Sequence, residues 1–366
     1  MLGAADGALG VGWPSMQVAF GRPISDLGLV LAFGSLGYLS SSSSYGWVHA
    51  RTGTGNSLVA GVTLMAFGLI GIAFAGFWEI IIGSALIFGV GGGLVDAGLN
   101  AHAALEFDSR SINLLHAAYG AGATMGPIVV TLGLTAGGQW RAGYVALSLV
   151  QVALIVAVWA KRGLWSSDIQ APDDGQRAAK PRWGIVLLSL LLFLVYTGVE
   201  VAAGQWGFTL LSQGRGLAEA SAGLWVAAYW GGLTAGRLLL GFVGVRFDPS
   251  RLLDLGIGTT VVGLAFLWWD PGGFGHVALP LTGLGLAGVF PALVSLTPLR
   301  IGKARSTRMV GFQLSAANIG AASIPWTIGL VASESGLTSL GPALFAGAVV
   351  LALLHFIVQN TTRIVS

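Results

Sequence analysis

Apolar runs of about twenty residues recur along the chain, and charged residues are almost confined to the short breaks between them. A bilayer core of ~30 Å is crossed by ~20 helical residues rising ~1.5 Å each. This spacing therefore constrains the chain to a stack of membrane-crossing helices. Composition agrees, with 54% hydrophobic and 9% charged residues against about 25% charged in soluble domains. A soluble surface cannot be covered with so few charges. The 58 glycines suit helices that pack closely in lipid. The absence of cysteine excludes disulfides, thiolate metal sites and a cysteine nucleophile. The net charge of +3 comes without a basic run, so no nucleic-acid partner is expected.

The runs fall near 2–20, 25–45, 56–76, 79–104, 111–135, 142–161, 184–211, 218–243, 252–269, 275–297, 308–332 and 339–359, which makes twelve spans. The first starts at Met1 with no basic lead or cleavage-like site, so no separate signal peptide is expected. Of the 18 Lys and Arg, only Arg22, Arg141 and Arg215 lie in one set of alternate loops. The other fifteen, Arg237 counted among them, lie in the opposite set and the C-terminal tail. Basic loops stay cytoplasmic. The expected topology is a multi-pass protein of the cell (inner or plasma) membrane with both termini inside.

Residues 163–181 are polar, carry Pro172 and Pro181, and have no apolar period. They read as a cytoplasmic linker between a six-helix bundle at 1–162 and another at 182–366. The halves repeat one another. GVGGGLVDAGLN (89–100) and HAAYGAGATMGP (116–127) correspond to GLGLAGVFPALV (283–294) and LSAANIGAASIP (314–325). Each pair is a glycine-studded helix, a charged or basic turn, and a small-residue helix ending in Pro. Two such bundles are the pattern of a transporter with a site near the bilayer midplane.

Three carboxylates lie inside spans: Asp6, Asp96 and Glu200. An ionised carboxylate at bilayer depth costs at least ~2.5–3.5 kcal/mol. It persists by facing a wet cavity, by pairing, or by holding a proton, which makes it a candidate for proton coupling. Asn100 follows Asp96 by one helical turn on the same face. Asn113, His116 and Tyr119 share a face of the next span at three-residue spacing, and His116 can titrate near neutrality. These groups offer donors and acceptors to a hydroxyl-rich solute. Asn100 and Asn113 equally suit a tie between helices. Gln205 and Trp206 follow Glu200; an aromatic ring beside polar donors can stack on a sugar, and Trp also anchors at membrane surfaces. Tyr229, Trp230, Gln313 and Asn318 are weaker solute candidates. Asp6 sits near the expected cytoplasmic end, where a solvated carboxylate is also accommodated.

Other patterns carry no chemistry. GLGLAG (283–288) fits a dinucleotide fingerprint but lies in an apolar span without the strand–helix context. HExxH and GxSxG are absent, and the histidines lack metal-ligand spacing, so neither metal nor cofactor is expected. The glycines of 89–98, Gly122xxxGly126 and Gly232xxxGly236 read as close helix packing.

Twelve spans in two halves resemble the major facilitator superfamily. GWVHARTGTG (46–55) is similar to that superfamily's loop 2–3 signature: Gly46, Arg51 and Gly53 fit, while Ala50 replaces the usual Asp and Thr54 a usual basic residue. Within it, the chain resembles the fucose permease and glucose/mannose symporter group. The shared features are the glycine run with Asp96 and Asn100, the NLLHAAYGAGATMGP segment, and YTGVEVAAGQW. His116 stands where fucose permease has Gln, Tyr119 where it has Asn, and Glu200 where it has an amide. That permease's span 1 acid lies four residues before a Pro; here that place is Gly10, one turn after Asp6.

The resemblance implies an all-α membrane fold of two pseudo-symmetric bundles. The expected function is proton-coupled import of a monosaccharide or similar small polar solute, bound between the bundles, with Asp96 as proton carrier exchanging with Glu200 or His116. The protein is expected to work as a monomer. The alternative is a proton-driven exporter, since Gly122xxxGly126-Pro127 partly matches an antiporter signature, although Val130 and Thr131 replace its later glycines and Ala85 an expected Arg. An enzyme would need a nucleophile–base or metal constellation, and a sensor a soluble domain; the sequence provides neither.

Overall fold

The computed structural model describes residues 1–106, 109–137, 139–165, 183–243 and 248–363, with side chains at 104–106, 109–114, 116, 242–243, 303–305, 307–308 and 362–363 outside the description. The proposed linker lies outside it from residue 166 onwards. Among the described residues the secondary structure is entirely helical. The chain divides into two compact units, Met1–Pro172 and Asp173–Ser366.

The first unit contains α1 (Leu2–Phe20), α2 (Leu27–Ala73), α3 (Trp78–Glu106), α4 (Ser109–Gly137) and α5 (Trp140–Ala160). Helix α2 packs along α3 and α5, and α1 along α4. The stretch expected to form two spans and a loop is one helix interrupted at Gly53, whose backbone is at φ 73, ψ 167. Only glycine adopts that conformation without strain, so the helix breaks there and the flanking GWVHART and TG segments stay helical.

The second unit contains α6 (Trp183–Thr209, continued by a π-turn at Leu210–Gly214), α7 (Glu219–Val243), α8 (Pro249–Trp269), α9 (Ala278–Ala287), α10 (Val289–Ile301), α11 (Lys303–Ser335) and α12 (Leu340–Arg363). Helix α6 packs on α11 and α12, and α9 on α7 and α8. The α9/α10 break follows from Pro291, which has no N–H for the Ala287 carbonyl and whose ring crowds that turn.

Among the described residues nine helical stretches are long and apolar enough to cross a bilayer by length and composition, one of them the Gly53-interrupted stretch Ile24–Ala73. The outer faces are apolar: Leu149 is 67% and Val156 63% exposed on α5. Such surface suits hydrocarbon rather than water. Inside, Leu58, Val62, Met65 and Val95 join α2 to α3.

Helices meet through glycine. A Cβ at Gly37 would strike the Leu86 carbonyl, one at Gly89 the Gly34 carbonyl, and one at Gly93 the Tyr38 carbonyl. Gly3 and Gly7 of α1 lie likewise against the Tyr119 and Ala123 carbonyls of α4, and Gly126 against Ala4. In the second unit Gly283 lies on the Tyr229 carbonyl, Gly232 on Pro280 and Gly320 on Leu194. Without side chains between them, backbones approach closely and gain dispersion contact, which drives helix association in lipid.

One helix end is held by charge. Asp270, the left-handed C-cap of α8 at φ 51, accepts from Gly275 N at 2.7 Å and pairs with Arg215 at 3.2 Å. Arg215 also donates to the Leu267 carbonyl. Burial lowers the pKa of the Arg215 guanidinium, and the Asp270 charge opposes that. Arg215→Ala leaves a C-terminal carbonyl and a partly buried carboxylate short of a donor. The expected loss is about 1–3 kcal/mol, read as a lower melting temperature of the purified protein in detergent.

Candidate functional site

The α2–α3 glycine contact determines what Asp96 meets. Gly93 lies under the Tyr38 carbonyl, and a Cβ added at Gly92 would meet Leu2 and, at 3.8 Å, the Tyr38 ring. With the two helices this close the Tyr38 hydroxyl donates to Asp96 Oδ2 at 2.5 Å. One turn on, Asn100 Nδ2 donates to Asp96 Oδ1 at 3.0 Å and to the Asp96 carbonyl at 2.9 Å. The face shared by Asp96 and Asn100, expected from their spacing, is thus occupied by a direct bond. Hydrogen bonds from a phenol and an amide stabilise a carboxylate without neutralising it.

The α1–α4 contact brings a second acid to the same region. With Gly3 seated on the Tyr119 carbonyl, the Tyr119 hydroxyl reaches Asp6 Oδ2 at 2.8 Å. Asp6 and Asp96 are half-buried. Asp6, which sequence reasoning allowed to be merely solvated, is bonded to a tyrosine across α1 and α4, as Asp96 is across α2 and α3. Neither Asp6–Tyr119 nor Tyr38–Asp96 has a local sequence signal, since the partners are 113 and 58 residues apart. The side chains of Asn113 and His116 lie outside the described residues.

The second unit has a separate charged cluster. Glu200 of α6 is 8% exposed. Tyr196, one turn before it, donates to its carboxylate, and the same hydroxyl lies 3.4 Å from the Leu286 carbonyl beside the α9/α10 break. Tyr229 of α7 donates to the Glu200 carbonyl at 2.7 Å. Arg237, two turns further along α7, lies 3.3 Å from Glu200 Oε2 and 3.4 Å from Oε1. The positive-loop count had placed Arg237 among the loop residues. It lies inside α7, six positions before its end, with its head turned into the helical bundle. That interior position was the available signal.

The remaining candidates of this unit are placed as follows. Gln313 of α11 is 0% exposed; it donates to Ser189 of α6 at 2.7 Å and exchanges hydrogen bonds with Thr297 of α10. Trp206 is fully buried and its indole donates to the Pro325 carbonyl at 2.9 Å. Both therefore tie helices together. Gln205 is buried beside Trp206. Trp230 meets Tyr229 edge-on, with ring centroids 5.1 Å apart, and packs over Gly204. Asn318 is half-buried and donates to the Leu314 carbonyl one turn back on its own helix.

Helical units with apolar outer faces and charged networks inside define the class of a multi-pass membrane transporter. The chain matches the Major Facilitator Superfamily over residues 1–325 and belongs to that family, whose members move solutes rather than catalyse reactions. It is 23% identical to the glucose/mannose transporter GlcP of Bacillus subtilis (strain 168), over 86% of this chain and 81% of that protein. It is also 23% identical to the sodium-dependent glucose transporter 1A of Mus musculus, over 94% of this chain and 91% of the relative. Among solved structures it is similar to the E. coli fucose:proton symporter FucP, with TM-score 0.58, 17% identity, and coverage of 97% of each chain. The resemblance to sugar symporters of this superfamily, expressed in the glycine run, Asp96 and Asn100, agrees with these likenesses.

Proposed function

We propose that the protein is a proton-coupled symporter importing a monosaccharide or similar small polar solute across the cell membrane, with both termini cytoplasmic. The observation that carries this reading is the Asp96 carboxylate, inside the first unit, bonded by Tyr38 and Asn100. A carboxylate in this setting is stabilised as an anion by its donors yet charged at a cost to the bilayer. Taking up a proton removes that cost, and the neutral and anionic forms then favour different conformations of the carrier. Asp96 is the proton carrier, with Asp6 as the second acid inside a span of the first unit. Asn100, Asn113, His116 and Tyr119 supply hydroxyl-recognising groups in the first unit, and Gln205 and Trp230 are their counterparts in the second. The sugar assignment draws support from the names of the relatives, GlcP above all.

The test is uptake by proteoliposomes of labelled glucose, mannose and fucose under an imposed pH gradient, inside alkaline, with and without sodium. Accumulation of a sugar in sodium-free buffer, abolished by a protonophore, supports the reading. Accumulation driven only by a sodium gradient, or solute expelled as protons enter, would overturn it. Gly122 and Gly126 both lie against the Ala4 backbone, a packing role that fits either direction of transport, so the vesicle assay decides between import and export.

A further inference from the structure

We propose that the exposed face of α5 and the turn after it form a docking surface for an anionic phospholipid of the cytoplasmic leaflet. The acyl chains lie along the helix and the headgroup phosphate on Lys161 and Arg162. Leu149, Val152, Val156 and Trp159 recur at three- and four-residue spacing and so share one face of α5. They are 67%, 42%, 63% and 55% exposed. The opposite face fixes this rotation: Gln151 Nε2 donates to the Val62 carbonyl at 2.9 Å, and Ile155 and Val158 pack on the Leu58, Val62, Met65 and Val95 cluster. The stripe passes from aliphatic side chains to an indole and then to two exposed cations, the order in which a bilayer passes from hydrocarbon to headgroup. The turn Arg162–Leu164 is held in place, since a Cβ at Gly55 would strike the Arg162 carbonyl and Trp165 packs on the same cluster. The Arg162 guanidinium lies 4.6 Å from the Trp159 ring centre and donates to the Trp159 carbonyl at 2.9 Å. Arg51, four residues before Gly55, repeats the arrangement: it lies 3.8 Å from the exposed Trp47 ring and donates to the Trp47 carbonyl at 3.2 Å. A guanidinium has five N–H donors, so most of them still need an acceptor. Helices α2 and α5 contain neither Asp nor Glu. None of the ion pairs among the described residues involves Arg51, Lys161 or Arg162. A phosphodiester supplies the acceptor, in the forked geometry a guanidinium matches. Orientation by basic loops needs charge alone. It does not require indoles stacked on the cations, or a pinned turn at the end of an apolar stripe. The leaflet follows from the proposed topology, whereas the surface itself does not depend on what the protein carries.

The experiment titrates the delipidated protein in neutral detergent with dioleoylphosphatidylglycerol or dioleoylphosphatidylcholine and counts bound lipid by native mass spectrometry. The wild type is expected to bind the anionic lipid more tightly than the zwitterionic one. A cation at the membrane surface is worth about fivefold in affinity for anionic lipid, so the Lys161→Gln/Arg162→Gln double variant should bind phosphatidylglycerol about thirtyfold more weakly. Trp159→Leu keeps the stripe apolar but removes the stacked ring, and should weaken binding about two- to fivefold. Arg251→Gln, an exposed cation on α8, is the control and should match the wild type. Inorganic phosphate in large excess should leave the lipid bound, because it cannot use the apolar stripe. The inference is overturned by equal affinity for the two lipids, by a double variant that binds phosphatidylglycerol as the wild type does, or by an equal loss in Arg251→Gln. Displacement by inorganic phosphate would likewise contradict it, pointing to a site for a soluble anion. The melting temperature without lipid reports whether each variant is folded. Should the double variant fail to fold, Trp159→Leu decides, and an unchanged affinity there refutes the proposal. None of these readings uses transport, so a failure of the symport reading leaves the lipid result standing.

Discussion

Replacing Asp96 by Asn is expected to abolish concentrative uptake while leaving solute exchange across the membrane in place. The amide keeps the shape of the side chain and can still bond with Tyr38 and Asn100, which meet the native carboxylate at 2.5 and 3.0 Å. It cannot release or take up a proton. One proton per solute moving down one pH unit supplies ~1.4 kcal/mol, enough for about tenfold accumulation. A potential of 100 mV adds ~2.3 kcal/mol, or about fiftyfold. All of that is lost in Asp96→Asn, so internal solute should stop at the external concentration, while counterflow of labelled against unlabelled solute continues. Tyr38→Phe tests the same network more gently. It removes one hydrogen bond to a charged group, worth about 1.5–3 kcal/mol, and should shift the pH dependence of uptake without abolishing accumulation. Continued concentration by Asp96→Asn would move proton carriage to another acid, Asp6 first.

The second large effect is structural. Gly126→Leu should prevent folding of the first unit, because a Cβ there runs into the Ala4 backbone, which has no side chain to swing aside. Helices α1 and α4 would have to separate. Overpacking of this kind costs about 1–3 kcal/mol when side chains can yield, and more when only backbone is available. Separation would also part Tyr119 from Asp6, now bonded at 2.8 Å. Gly83→Leu on α3 is the control, since nothing lies within 4 Å of its added Cβ. Size-exclusion of fluorescently tagged protein in detergent should show little monodisperse Gly126→Leu and near-normal Gly83→Leu. Equal yields would mean that the α1–α4 contact is looser than its glycines suggest.

What could be read from the chain was what depends on neighbours in sequence. Charge at helix ends and apolar runs between them outlined the helices, because a bilayer imposes both. Asp96 and Asn100 were legible as a pair since four residues make one turn, and their bond has that spacing. The run at 89–98 signalled close packing, and Gly89 and Gly93 do meet α2 backbone. Contacts between distant segments were not legible. Tyr38 reads as one more aromatic ahead of a serine run, and nothing local connects it to Asp96. For Asp6 the nearness to a helix end left a solvated role open beside a functional one, and it says nothing about Tyr119. Arg237 was misplaced because charge counting treats every Arg near a break as a loop residue; a long side chain can instead turn its head inward to a buried acid. Gln313 shows the same limit from the other side. A polar residue in an apolar span suggests a ligand, but bonds to Ser189 and Thr297 engage its amide within the unit.

The central claim is that solute and proton move together through the Asp96 network, and counting protons tests it without any assumption about the solute's final level. Lightly buffered proteoliposomes carrying a pH-sensitive dye outside should report alkalinisation when sugar is added to the wild type, in fixed proportion to sugar entry. Asp96→Asn vesicles that exchange the same sugar should give no pH change. Alkalinisation of equal size in Asp96→Asn, or none in a wild type that is visibly transporting, would contradict the account.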